Sequence, residues 1–175
     1  VLVAVEAADL MQPAILKVLR QIHLELELTD GVAGTASLFS IRRGPVGDTL
    51  PPPLVPDTLP AGTEFHSLID EVRSHPLVRG RLLSDRHDHG DLALFVVGLD
   101  RQELQRRGLG PTLREVERVA RTTAGPELRV GLTGVPVMRL EIAEASRRDR
   151  IVFTLAGSCV GLLVCFLFFR QLRFV

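Results

Sequence analysis

Apolar and polar positions along this chain recur at two periods, and in one place the polar positions vanish. Ile151 to Phe169, IVFTLAGSCVGLLVCFLFF, contains no charged residue, Pro, Asn or Gln. As a helix rising ~1.5 Å per residue it would be about 28 Å long, close to the ~30 Å hydrocarbon core of a bilayer. The pattern predicts a transmembrane helix. Arg147, Arg148, Asp149 and Arg150 bound it on one side, and Arg170 and Arg173 on the other. Long basic side chains at such ends reach headgroups while their stems stay apolar.

Before that span the pattern is that of a folded domain. Val1 to Ala7 is apolar on both alternating faces up to Glu6, which predicts a central strand covered on both sides. Pro13 suits a first helical turn, and Ile15, Leu16, Leu19, Ile22 and Leu26 recur at helical spacing until Asp30 and Gly31. Val32 to Ile41 carries β-branched and aromatic residues and predicts a second strand. The proline-rich stretch 44–62 lacks periodicity and predicts an extended surface excursion, either a partner contact or an ordered loop laid over the domain. Phe65, Leu68, Ile69 and Val72 mark a short helix ended by Pro76, and Leu77, Val78, Leu82 and Leu83 supply apolar anchors before the polar run SDRHDHGD.

Leu92 to Leu99 predicts another apolar strand. Thr112 and Glu115, with Pro111 before them, match a capping box opening a helix whose apolar face is Leu113, Val116, Val119 and Ala120, stopped by Gly125 and Pro126. Leu128 to Leu132 predicts the last strand. After the break at Gly134 to Pro136, Val137 to Arg150 predicts a helix running into the span, with Met138, Ile142 and Ala145 able to pack on the domain and make the junction stiff. The order strand, helix, strand, insert, strand, helix, strand predicts an α+β fold: a ferredoxin-like split βαβ domain with a four-stranded antiparallel sheet and helices on one face. The resulting organisation is a domain at 1–135 with its insert at 44–62, a connecting helix at 136–150, the transmembrane helix at 151–169 and the start of a loop at 170–175.

Composition narrows the partners. Lys plus Arg number 21 and Asp plus Glu 21, the basic residues are dispersed, and Trp and Tyr are absent. Neither the electrostatic footprint nor the stacking surface for nucleic acid is present, so that class is excluded. The two cysteines, Cys159 and Cys165, both lie in the span. Six residues apart on a helix they are about 9 Å apart along its axis, too far for a mutual disulfide. A start at Val1 inside an apolar run and an end just after the span predict a piece of a longer protein.

Candidate chemistry is sparse. Asp85, His87, Asp88, His89 and Asp91 fall within one short run that could ligate a divalent metal, although a run ending in Gly90 and Asp91 before a strand is also ordinary turn chemistry. Ser84 beside Asp85 and His87 lacks the G-x-S-x-G context of a nucleophile elbow. Gly108 and Gly110 precede a helix without completing a phosphate-binding glycine motif. His23, His66 and His75 read as surface or packing residues. Gly157 and Gly161 form G-x-x-x-G, which lets another membrane helix approach closely. The span holds no ionisable group that could relay protons. No catalytic, cofactor-binding or metal residue is assigned from these patterns.

The segment LTGVPVMRLEIAEASRRDRIVF, followed by an apolar run and FFRQLRF, resembles the junction between the exported porter domain and the second membrane helix of resistance-nodulation-division (RND) transporters. It is most similar to the MMPL and hopanoid-transport group of lipid and hydrophobe exporters. VLVAVEAADLMQP, VAGTASLFSIR and HPLVRGRLLSDRHDHGDLALFVVGL resemble that family's first porter strand and helix start, its second strand, and the lead into its third. The acidic, His-containing turn departs from the shorter polar turn usual there. The resemblance implies a proton-driven exporter of lipids or other hydrophobic compounds in a bacterial inner membrane, with residues 1–150 on the periplasmic side. It also implies partners: the bilayer, the remaining helices and second porter domain of the same transporter, the hydrophobic substrate, and further copies in a homo-oligomer. Proton-carrying acidic residues would lie in another membrane helix. Charge alone leans the other way, since Arg139, Arg147, Arg148 and Arg150 precede the span; Glu141, Glu144 and Asp149 dilute that bias. Two other readings compete: a membrane-anchored sensory or ligand-binding domain, and a metal-dependent enzyme built on Asp85 to Asp91.

Overall fold

The computed structural model describes residues 1–44, 51–86 and 90–172. Its contacts divide the chain into two units, Val1–Val137 and Met138–Val175.

The first unit is α+β. Strand β1 (Leu2–Ala7) leads to helix α1 (Pro13–Glu27) and strand β2 (Val32–Ala36); helix α2 (Thr63–Ser74) and strand β3 (Leu83–Arg86) follow. Strand β4 (Gly90–Leu99), helices α3 (Arg101–Arg107) and α4 (Leu109–Ala124) and strand β5 (Arg129–Thr133) complete the set before the long helix α5 (Val135–Leu172). The sheet order is β2-β4-β1-β5, with every pairing antiparallel. Thus β4 lies between β1 and β2, and β1 lies between β4 and β5, so the two βαβ units interleave as the split-βαβ pattern requires. The sheet has five strands rather than the predicted four. β3 forms a hairpin with the N-terminal half of β4, pairing Leu83 with Ala93 and Arg86 with Gly90. The polar run hid β3 because Ser84, Asp85 and Arg86 have low strand propensity.

One sheet face makes the core. Val3, Val5, Ala93, Phe95 and Val97 point into it and meet Leu16, Leu19, Ile22 and Leu26 of α1 and Val116 and Ala120 of α4, all buried. Burial of each large side chain contributes about 1.5–3 kcal/mol. Among the described residues the opposite face is only partly covered, contrary to the expectation for β1: Leu2 and Ala4 are half-buried, and their β4 neighbours Leu94 and Val96 are half-buried and exposed. β1 is central, but its continuous apolarity reflects one buried and one partly open face.

Two local expectations fail for identifiable reasons. β2 ends at Ala36 rather than Ile41, because Ser37 caps a 3-10 turn at Leu38–Ser40: its Oγ accepts from the Phe39 amide at 3.2 Å, while Ser40 Oγ accepts from the Ser37 amide at 3.2 Å. The Thr112 capping box does not form. α4 begins a turn earlier, with Gly108 as its N-cap, and Thr112 Oγ1 donates back to the Gly108 carbonyl at 3.0 Å while Glu115 pairs with Arg118. Pro111 is accommodated because a first-turn residue needs no amide partner. Helix α3 was not anticipated; Asp100 caps it by accepting from the Gln102 amide at 2.7 Å.

In the second unit α5 continues to Leu172, so the helix passes the predicted end at Phe169. Its stretch Val135–Leu167 has a mean hydropathy of 2.1 in its most apolar window, none of it buried, and is long and apolar enough to cross a membrane. Met138 and Ile142 are exposed.

Candidate functional site

The proline-rich stretch, within its described part, is an ordered strap. Leu54 donates to the Ile41 carbonyl at 2.8 Å and Arg43 to the Pro52 carbonyl at 3.0 Å, so the strap pairs with the chain leaving the 3-10 turn. Leu54 and Val55 are buried in the core. Prolines suit such a segment, since it needs few amide donors and φ is already fixed.

Arg20 of α1 fastens the next three residues. Its Nη2 donates to the carbonyls of Val55 and Pro56 at 3.1 and 2.6 Å, and Nη1 to that of Asp57 at 2.5 Å. The guanidinium carbon lies 5.1 Å from the centroid of the Phe39 ring, within cation–π range. Its three carbonyl partners are contiguous in the strap but more than thirty residues away, so no local spacing points to them.

Between α1, the end of the strap and the first turn of α2 lies an open groove of about 490 Å³, within the ~300–1,000 Å³ of small-molecule sites. Pro13, Leu59 and Phe65 give it apolar walls, and Lys17, Asp57 and His66 give it polar ones. Leu59 and Phe65 are half-buried and pack on the core from behind, so the groove floor is continuous with the rigid interior. His66 is oriented from within its own helix turn: its Nδ1 is 3.0 Å from the Gly62 carbonyl. A carbonyl can only accept, so Nδ1 carries hydrogen and Nε2 is the ring's remaining nitrogen. No side chain caps α2 at Gly62, which lines the same groove.

The sequence-derived candidates fare differently. His87, Asp88 and His89 lie outside the described residues. Asp91 is committed to structure: its Oδ2 accepts from Arg73 Nη2 and from the Leu10 amide, both at 3.3 Å, tying β4 to α2 and to the turn after β1. Gly90 beside it has φ +87°, and a Cβ there would lie 2.4 Å from the Ala7 carbonyl oxygen, so the start of β4 packs closely against the end of β1. Among the described residues no three His, Cys, Asp or Glu side chains are placed to share a metal ion. Cys159, Cys165, Gly157 and Gly161 all lie on α5, the cysteines exposed and the glycines with open space at their Cβ positions. His66 was read as a surface or packing residue and stands in the groove wall.

His23 is buried. Its Nδ1 is 3.2 Å from Ser37 Oγ, its Nε2 is 3.7 Å from Glu27 Oε1, and its ring tilts against Phe39 at 6.1 Å. Burial pushes its pKa down, Glu27 pulls it partly back, and Arg20 adds to the lowering. The grouping has the residue types of a serine, histidine and carboxylate triad without its geometry. Ser37 is 1% exposed and already accepts from Phe39, and the carboxylate is beyond hydrogen-bond reach. Its role is packing and capping.

The chain matches no family model, no curated protein and no solved structure. The groove therefore stands on its own chemistry: an apolar trough with one cation at its edge, Lys17, that has no partner among the described residues.

Proposed function

We propose that this chain is part of a proton-driven exporter of lipids or other hydrophobic compounds, of the RND type, and that its α+β unit forms part of the substrate path outside the membrane. The observation that carries this reading is the joint occurrence, in one chain, of interleaved βαβ units and a helix apolar enough to cross a bilayer. The resemblance of the β5–α5 junction to an RND porter junction supports it. An apolar groove backed by the core supports the substrate class, because a trough lined by Pro13, Leu59 and Phe65 offers little to a polar solute. The test is deletion of the full-length gene in its host, followed by analysis of envelope lipids and of hydrophobe efflux. The proposal predicts an altered lipid inventory or slowed efflux, each reproduced in the wild type by a protonophore. Unchanged lipids and efflux would sink the exporter assignment.

A second reading is a tethered ligand-binding domain on the extracytoplasmic side. The groove favours it, since all its walls belong to the first unit and it needs no second domain to exist. That reading predicts ligand binding without any efflux phenotype.

A further inference from the structure

We propose that the groove between α1, the strap and α2 binds a single-chain amphiphile with a carboxylate head, of the fatty-acid class. The inference rests on the reading of this chain as a handler of hydrophobic compounds, and specifies the ligand of one site.

Size, surface and charge point the same way. The volume of about 490 Å³ lies within the range of small-molecule sites and gives room for one alkyl chain. Leu59 and Phe65 present half-buried apolar surface to the trough although the core behind them is filled. An alkyl chain laid along them removes that surface from water, at about 25 cal/mol per Å².

The head is selected by charge. Among the groups lining the groove, the Asp57 carboxylate lies 3.7 Å from Arg20 Nη1, which also donates to the Asp57 carbonyl. Lys17 makes no ion pair and no hydrogen bond among the described residues. The lining is therefore left with one uncompensated cation among the described residues, four residues from Pro13 on the exposed side of α1. His66, its Nδ1–H held by Gly62, offers Nε2 as a second polar contact. It accepts from a protonated carboxyl or, as an imidazolium, donates to a carboxylate. An uncharged alcohol leaves Lys17 unanswered, and a quaternary ammonium meets like charge.

The experiment uses the full 175-residue chain in nanodiscs of zwitterionic lipid. Three probes carry the same photoreactive sixteen-carbon chain: palmitate, hexadecanol and hexadecyltrimethylammonium. Crosslinked peptides are mapped by mass spectrometry. Palmitate should label peptides containing residues 13–17 and 59–66, with the other two probes at least about tenfold weaker there, equivalent to ~1.4 kcal/mol. Lys17→Glu should lower palmitate labelling about as much, and Lys17→Arg should retain it. Lys17 is exposed, so an unchanged circular-dichroism melt separates lost binding from lost folding. Equal labelling by hexadecanol, labelling confined to α5, or indifference to Lys17→Glu would each overturn the proposal. The outcome is separable from the exporter reading: groove labelling with no deletion phenotype refutes export alone, and a deletion phenotype without groove labelling refutes this site alone.

Discussion

At the scale of single residues, His23 shows how a buried titratable group couples the domain's stability to pH. Burial disfavours the imidazolium, and Arg20 on the preceding helical turn disfavours it further, while Glu27 only partly compensates. The folded-state pKa therefore lies below the ~6.5 of an unfolded chain. Between those two values the unfolded chain holds more protons than the folded one, so stability rises with pH across that window. The contribution is fully present above about pH 6.5 and is lost as pH falls through the folded pKa. His23→Gln, which can still hydrogen-bond Ser37, removes the titration. We expect the thermal midpoint, followed by circular dichroism from about pH 8 to pH 5, to fall less steeply in His23→Gln than in the parent. Parallel profiles would show that His23 does not carry the effect. Nothing in the sequence marked His23 as buried, because its position on α1 sits at the border between the Leu19–Ile22–Leu26 stripe and the polar face; the Phe39 ring, sixteen residues on, closes over it.

At the scale of elements, the strap is where side-chain chemistry replaces periodic structure. Between Pro51 and Gly62 no helix or strand forms, and the backbone is held by a two-bond ladder to residues 41–43, by the burial of Leu54 and Val55, and by the Arg20 fork. A hydrogen bond from a charged donor contributes about 1.5–3 kcal/mol net, and the three carbonyls share one guanidinium, so the set acts as a unit. Arg20→Ala should destabilise the domain by about 2–3 kcal/mol in urea unfolding. It should also speed amide exchange at Leu54 far more than at Val97 in the sheet, whose bonding Arg20 does not touch. Arg20→Lys should recover little, since one ammonium cannot reproduce the fork. Uniform acceleration across both amides would mean that Arg20 supports the core generally rather than the strap. Because the strap supplies Leu59 and Asp57 to the groove, the same substitution should weaken palmitate labelling without touching a groove-lining side chain.

Elements with a strong period were legible in the sequence, and those defined by long-range partners were not. The stripe Leu16, Leu19, Ile22, Leu26 gave α1 nearly to the residue, and the apolar run at 92–99 gave β4, because burial on one face leaves a period in the chain. β3 was invisible since its only reason to be extended is the edge that β4 offers. The groove was missed altogether: its walls come from α1, the strap and α2, and no spacing rule joins Lys17 to Leu59 or His66.

At the scale of the whole molecule, the chain joins a domain whose apolar residues are largely turned inward to a helix whose apolar residues are turned outward. Ile151, Val152, Phe153, Leu155, Val160, Leu162, Leu163 and Val164 are all more than half exposed, on every side of α5. In water such a surface, exposed over about four turns, is far larger than scattered exposed leucines would give, and it needs an apolar surrounding. A bilayer supplies one, and the helix satisfies its own backbone there. Arginine near the middle of a span costs about 2.5–3.5 kcal/mol in place of a small gain from leucine. Leu155→Arg with Leu162→Arg, expressed in the 175-residue chain, should therefore cost insertion about 6 kcal/mol or more. The measurement is alkaline carbonate extraction of membranes: the parent should stay with the pellet and the double variant should be released. Leu24→Arg with Leu28→Arg, exposed leucines in the last turn of α1 and at its C-cap, controls for added charge and should leave the partition unchanged. Release of the parent itself would place α5 against another protein surface rather than in lipid. Retention of the double variant would mean that the hold on the membrane does not depend on the apolarity of this helix.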